Sequence, residues 1–243
     1  MSRLRHSFLW LCLIANCIAA YRQKRYAQPV EPIGKGVNVK VMVLYDETVF
    51  KETFADAVGK DQEPKILEEF KKMFLKVQEV FNNASVMIKI FVENATKNDN
   101  LSVLFPGMRR SLDGPTTLEN LRKYGEKKSE SNDTVFYYFT RHEILRATNL
   151  GDKIPIELMS IETPRTFCTK NVSAAVVRYW QQDYSYVTAA NSMARIFGSN
   201  RYPPRFHWRD RTLMNSTFSH CHISAAIRKE ENANGEVIES QRT

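Results

Sequence analysis

An α/β fold, a sheet flanked by long helices, is predicted by three observations. Val37, Val39, Val41 and Val43 alternate along one face of a strand, while Met42 and Leu44 make its second half apolar on both sides, the pattern of a strand covered above and below. Leu67, Phe70, Met73, Phe74, Val77, Val80 and Phe81 then recur at intervals of three and four, which predicts a long amphipathic helix. A second alternating strand follows in Val86, Ile88, Ile90 and Val92, and strand, helix, strand in that order favours a right-handed crossover.

The remaining elements follow from the same rules. Residues 26–36, with Pro29, Pro32, Gly34 and Gly36, read as an irregular lead-in. Pro64 is expected to open the first helix at its first position. Residues 135–140 form another strand, His142 and Glu143 an edge loop after it, residues 156–161 a short strand and residues 174–180 a further one. Residues 184–197 read as a helix with small residues Ala189, Ala190 and Ala194, stopped by Gly198 as its C-terminal cap. A short helical stretch through Ala225 and Ile227 comes next, and the polar end is expected to fray. The expected organisation is a signal peptide over 1–20, a short basic and Pro/Gly lead-in over 21–36, one folded domain over 37–230 and a polar tail over 231–243.

Composition excludes several classes. With 43% apolar, 11% aromatic and 26% charged residues, 243 residues are too hydrophobic for a disordered chain and enough for a proper core, while nine glycines exclude collagen and four cysteines a disulfide-dense miniprotein. The first twenty residues have the charged start, Arg3 and Arg5, the apolar run and the small residues Cys17 and Ala19 of a secretory signal, too short for a membrane span. Export agrees with six glycosylation sequons, at Asn83, Asn94, Asn100, Asn132, Asn171 and Asn215, of which Asn215 has the weakest claim because its segment is expected to be packed. It agrees also with the cysteines: once Cys12 and Cys17 leave, only Cys168 and Cys221 remain, and in an oxidising compartment that pair is expected to join. Arg22-Gln23-Lys24-Arg25 reads either as a proprotein convertase site or as a solvated basic stub.

Net charge is +8, which invites a nucleic-acid reading. Loss of residues 1–20 takes Arg3 and Arg5 and lowers it to +6, and a cut after Arg25 takes Arg22, Lys24 and Arg25 and leaves +3. What survives is local: Arg195, Arg201, Arg205, Arg209 and Arg211 stand against the single Asp210.

An ordered set of segments resembles a known family. Thr166-Phe167-Cys168, a strand, a helix with Thr188-Ala189-Ala190, Gly198 at its end, Met214 and Ser219-His220-Cys221 occur in the order seen in the metzincin metallopeptidases, closest to the reprolysin or adamalysin branch that includes secreted salivary enzymes of blood-feeding arthropods. The resemblance covers roughly residues 37–230. It implies a metzincin-like twisted mixed sheet with long helices and a smaller irregular C-terminal subdomain, zinc metalloendopeptidase chemistry, a methionine turn at Met214, and a bond between Cys168 and Cys221.

The family's zinc motif, H-E-x-x-H-x-x-G-x-x-H, places two histidines one helical turn apart, a glutamate as general base, and a third histidine beyond a glycine turn. Aligned on Gly198, this chain has Asn191 at the first histidine, Ser192 at the glutamate, Arg195 at the second histidine and Arg201 at the third. Arginine stays protonated and offers no lone pair to a cation, and serine does not act as a general base near neutral pH. Nor do the other histidines supply a site. Arg146 stands where His142-Glu143 would need a second ligand, and His207, His220 and His222 show no third donor.

The expectation is therefore a secreted, glycosylated pseudoprotease that needs no zinc and binds an extracellular protein or peptide, with no nucleic-acid partner and no membrane span. Arg195 and Arg201 would either bridge carboxylates in a closed cleft or receive an acidic group of the partner. Two alternatives stand beside it: an active zinc metalloendopeptidase with atypical ligands, and a basic secreted protein that binds anionic glycans.

Overall fold

A computed structural model describes residues 30–50, 62–128, 131–147, 154–180 and 184–221. The expected signal peptide, the basic Arg22 to Arg25 stretch, His222, the helical stretch at Ala225 and Ile227 and the polar tail lie outside the described residues. The chain divides after Pro32, and every element named below belongs to the second unit, Ile33–Thr243.

The fold is mixed α/β, a twisted mixed sheet with four helices among the described residues. Five strands run in the order β2-β1-β4-β8-β7, where β1 is Asn38–Tyr45, β2 Lys89–Lys97, β4 Thr134–Thr140, β7 Ser160–Glu162 and β8 Ser173–Arg178. The first four are mutually parallel, and β7 closes one edge antiparallel to β8. A second sheet joins β3 (Ser111–Asp113), β5 (Glu143–Arg146) and β6 (Ile156–Leu158). The helices are α1 (Gln62–Asn83), α2 (Gly114–Lys128), α3 (Ser185–Ile196) and α4 (Trp208–Phe218).

Alternation along the strands sorts the apolar residues into two cores. Val39, Val41, Val43, Val135, Tyr137, Phe139, Ala175 and Val177 face α1, α3 and α4, where Phe70, Phe74, Val77 and Phe81 of the first helix meet them. Leu44, Phe136, Tyr138, Ala174 and Val176 point the other way, against Leu121 of α2 and Leu112 and Ile144 of the small sheet. All seven residues of β4 are buried, as a strand covered on both faces requires. The aromatic stack of Phe70, Phe74, Tyr137 and Phe139, with centroids 5.0–6.3 Å apart, fastens α1 to β4.

Several expectations need correction. Pro64 is the third residue of α1, which its missing N–H tolerates because none of the first four amides of a helix has an intrahelical acceptor. Residues 156–161 form two strands in different sheets, β6 and β7, with exposed Met159 between them. Glu143 begins β5 instead of extending a loop, and the ring of His142 meets the Arg110 carbonyl at 3.1 Å. The lead-in is not wholly irregular: Ile33 bridges Val86, receives the Met87 amide at 2.7 Å and donates to the Ser85 carbonyl at 3.0 Å.

Helix α2 and strand β3 have no counterpart among the expected elements. Gly114 and Gly125, a residue type that weakens a helix in isolation, serve here as close-approach points. A Cβ on Gly125 would stand 2.6 Å from Val172 Cγ1 and 2.9 Å from the Phe136 ring, and one on Gly114 would stand 2.7 Å from Ile144 Cγ2.

Candidate functional site

The segment of interest begins where β8 ends. Ser185 ties the two together, its hydroxyl donating to the Trp180 carbonyl at 2.7 Å and accepting the Trp180 amide at 2.9 Å. From there α3 lays Ala189, Ala190, Met193 and Ala194 on the sheet. The small alanines let the backbone come near enough for the buried Tyr137 hydroxyl to donate to the Ala189 carbonyl at 3.0 Å.

At its C-terminal end the helix closes with a Schellman motif. The Ser199 amide bonds the Ala194 carbonyl at 2.9 Å and the Gly198 amide the Arg195 carbonyl at 3.0 Å, with Gly198 at φ 103°. That φ is strained for any residue with a Cβ, so glycine is what allows the chain to turn out of the helix.

The aligned positions then separate in three directions. Asn191 and Arg195, four apart, share a face of α3, half-buried and exposed respectively. Ser192 faces inward, fully buried, and its hydroxyl donates to the Thr188 carbonyl at 2.9 Å. Arg201, past the turn, is exposed and lies with its Nε 3.7 Å from Asp210 Oδ2.

Each arginine has a carboxylate. Arg195 Nε reaches Glu162 Oε1 on β7 at 2.7 Å, and Ser160 donates to the other oxygen at 3.2 Å. Burial raises the Glu162 carboxyl above its ordinary value, with Arg195 and then Ser160 pulling it back down. Asp210 is almost wholly buried and accepts the Asn200 amide and the His207 amide, each at 3.0 Å. Glu162, Asp210 and the exposed Arg165, whose Cγ stands 3.5 Å from the place of a Gly198 Cβ, lie outside the zinc-motif alignment. The only signal for them in the sequence was the isolated acid Asp210 among five arginines.

Met214 is not in a turn. It is a fully buried residue inside α4, because His207 and Asp210 form a reciprocal capping box that starts a helix at Trp208 and carries it through residues 212–215. Cys168 and Cys221 are bonded, with Cα atoms 5.0 Å apart. All six sequon asparagines are exposed, Asn215 included, since it lies on the outer side of α4.

These residues do not fit a zinc ion. Two of the four aligned side chains are guanidinium groups, the third is a buried hydroxyl committed to a backbone carbonyl, and the carboxylates beside them, Glu162 and Asp210, are paired with Arg195 and Arg201. Among the described residues there is no group of three or more His, Cys, Asp or Glu side chains that could hold a metal ion.

The raised carboxyl of Glu162 has a measurable consequence. A carboxyl whose folded value lies above its unfolded one adds stability below the unfolded value, and that stability is lost as pH rises through the folded value. Glu162→Gln cannot titrate, so its Tm relative to the native chain is expected to improve between pH 4 and pH 7. Melting curves at the two pH values check it, and a variant that falls further behind at pH 7 would show that the Arg195 pairing outweighs burial.

No family model and no curated protein matches the sequence. Solved structures similar to this chain include archaemetzincin from Methanopyrus kandleri, at 12% identity over 76% of this chain and 98% of that one, with a TM-score of 0.41. Metalloproteinase-II from Bacteroides fragilis is similar at 10% identity over 78% of this chain, with a TM-score of 0.44, and the match spans 55% of that protein's length. A zinc-dependent peptidase from Methanocorpusculum labreanum matches at 11% identity over 72% of this chain and 100% of that one, with a TM-score of 0.40. With all three at 12% identity or less and TM-scores below 0.5, none of them assigns an activity to this chain.

Proposed function

We propose that this chain is a secreted, glycosylated metzincin-like protein of the reprolysin branch that has lost its zinc centre and acts by binding an extracellular protein partner. One observation carries the reading: the two arginines at aligned ligand positions are each compensated by a carboxylate of the chain itself, Arg195 by Glu162 and Arg201 by Asp210. A cation there would meet guanidinium charge in place of imidazole lone pairs. The buried Ser192 removes the proton acceptor that hydrolysis would require.

Export is supported by the signal-like residues 1–20, by the disulfide and by the exposure of every sequon asparagine. Among the described residues no helix is long and apolar enough to cross a membrane.

The deciding measurement is metal content of the purified protein together with a peptide-cleavage assay. The expected result is no stoichiometric zinc and no cleavage at any zinc concentration. Stoichiometric zinc with chelator-sensitive cleavage would replace this reading with that of an enzyme using atypical ligands.

A further inference from the structure

The loop between α3 and α4 and the first turn of α4 are tied down at three points, while their arginines, Tyr202 and Trp208 stay exposed. Asp210 closes the loop from one end, accepting the amides of Asn200 and His207. Phe206 anchors its middle, stacked on Phe81 with centroids 5.8 Å apart. Arg211 fixes the base of α4 to the end of α1, donating to the carbonyls of Ala84 at 2.7 Å and Ser85 at 3.2 Å.

What this frame leaves in solvent is unusual for a surface loop. Trp208 is 63% exposed and Tyr202 56%, and Arg201, Arg205 and Arg209 are exposed beside them. The Arg209 guanidinium lies 5.2 Å from the Trp208 ring centroid, a cation–π contact that holds both groups in place. The one acid of the stretch, Asp210, is buried and engaged by two backbone amides and Arg201, and among the described residues no carboxylate pairs with Arg205 or Arg209.

We propose that residues 201–209 form a docking surface for a sulfated polysaccharide of the extracellular matrix. Guanidinium groups match sulfate and carboxylate oxygens in bidentate geometry, and exposed flat rings offer stacking faces to sugar rings. Because the frame is fixed before binding, little ordering cost accompanies association. An acidic peptide would satisfy the arginines and leave the two exposed ring faces without a matching partner, which is why the polysaccharide is the assigned occupant. The inference rests on the reading of the chain as an exported binding protein. It is independent of metal content, so failure here leaves the zinc result standing and the reverse.

The test uses the full secreted chain on immobilised heparin, with elution by a salt gradient. Native protein is expected to elute above roughly 0.15 M salt. The double variant R205Q/R209Q, which leaves the Asp210 network intact, elutes earlier, and its dependence of log K on log salt falls by about two, one for each lost ion contact. K65Q/K89Q removes the same charge from exposed positions on α1 and β2 and is expected to elute with the native protein. Trp208→Ala elutes earlier at unchanged charge. Passage of the native protein through the column without retention overturns the proposal, as does an equal shift in the two double variants. Displacement by polyglutamate as effective as by heparin oligosaccharide would assign the surface to an acidic peptide instead.

Discussion

Ser192→Glu, which places a glutamate at the position aligned with the motif's general base, is expected to cost about 3–5 kcal/mol, the range for a buried charge without a partner. Ser192 is fully buried on the face of α3 that meets the sheet, where its hydroxyl already serves the Thr188 carbonyl. A carboxylate there would lose its hydration and gain no cation, since Arg195 points along another face to Glu162. Asn191→His falls on the more accessible side of the helix and is tolerated far better. Of the aligned positions on α3, Ser192 is therefore the one least able to accept a carboxylate. Thermal melts of S192E beside S192A measure the charge cost separately from loss of the hydroxyl. An S192E protein melting within about 2 °C of the native one would mean that the inner face of α3 is open to water.

Removal of the Cys168–Cys221 bond by the double Cys→Ser variant is expected to lower stability by about 4 kcal/mol, from the closure entropy of a loop with 53 residues of separation. For a chain of this size that is a fall in Tm of roughly 8–16 °C. The bond joins two segments far apart in the sequence: the loop entering β8, where the Cys168 amide bonds the Asn132 carbonyl at 2.9 Å, and the end of α4. Between them Phe167, Phe197 and Phe218 pack with centroids 4.8–6.4 Å apart. A decrease smaller than about 3 °C would show that this aromatic cluster holds α4 without the bond. Melting of the native protein with and without reductant gives the same comparison without a substitution.

Local pattern was sufficient wherever one residue type repeated along an element. The valines of β1, the phenylalanines of α1 and the alanines of α3 each mark a face, and each face is buried as its period requires. Pattern failed where an element is held by what lies across from it. Helix α2 packs through glycines that weaken a helix in isolation, and β6 and β7 are three residues each, divided between two sheets by an exposed methionine that no periodicity marks. Met214 misled for a related reason. Its place in a turn came from resemblance, whereas the capping box set by His207 and Asp210, four residues and more before it, winds the segment into α4.

For the site, residue identity alone excluded a zinc ligand set of the expected kind, because guanidinium has no lone pair in any conformation. Sequence also indicated the pair of cysteines, the six sequons and the concentration of arginine after Gly198. The partners of those arginines came only from tertiary structure. Arg195 finds Glu162 because β7 runs antiparallel at the edge of the sheet beside α3, 33 positions earlier in the chain, and Asp210 is drawn inward by two amides while Arg205, Arg209 and Trp208 are left outside. Chemistry belongs to the side chain and is written in the sequence, but which charge is compensated and which faces solvent depends on distances between elements that only the packed sheet sets.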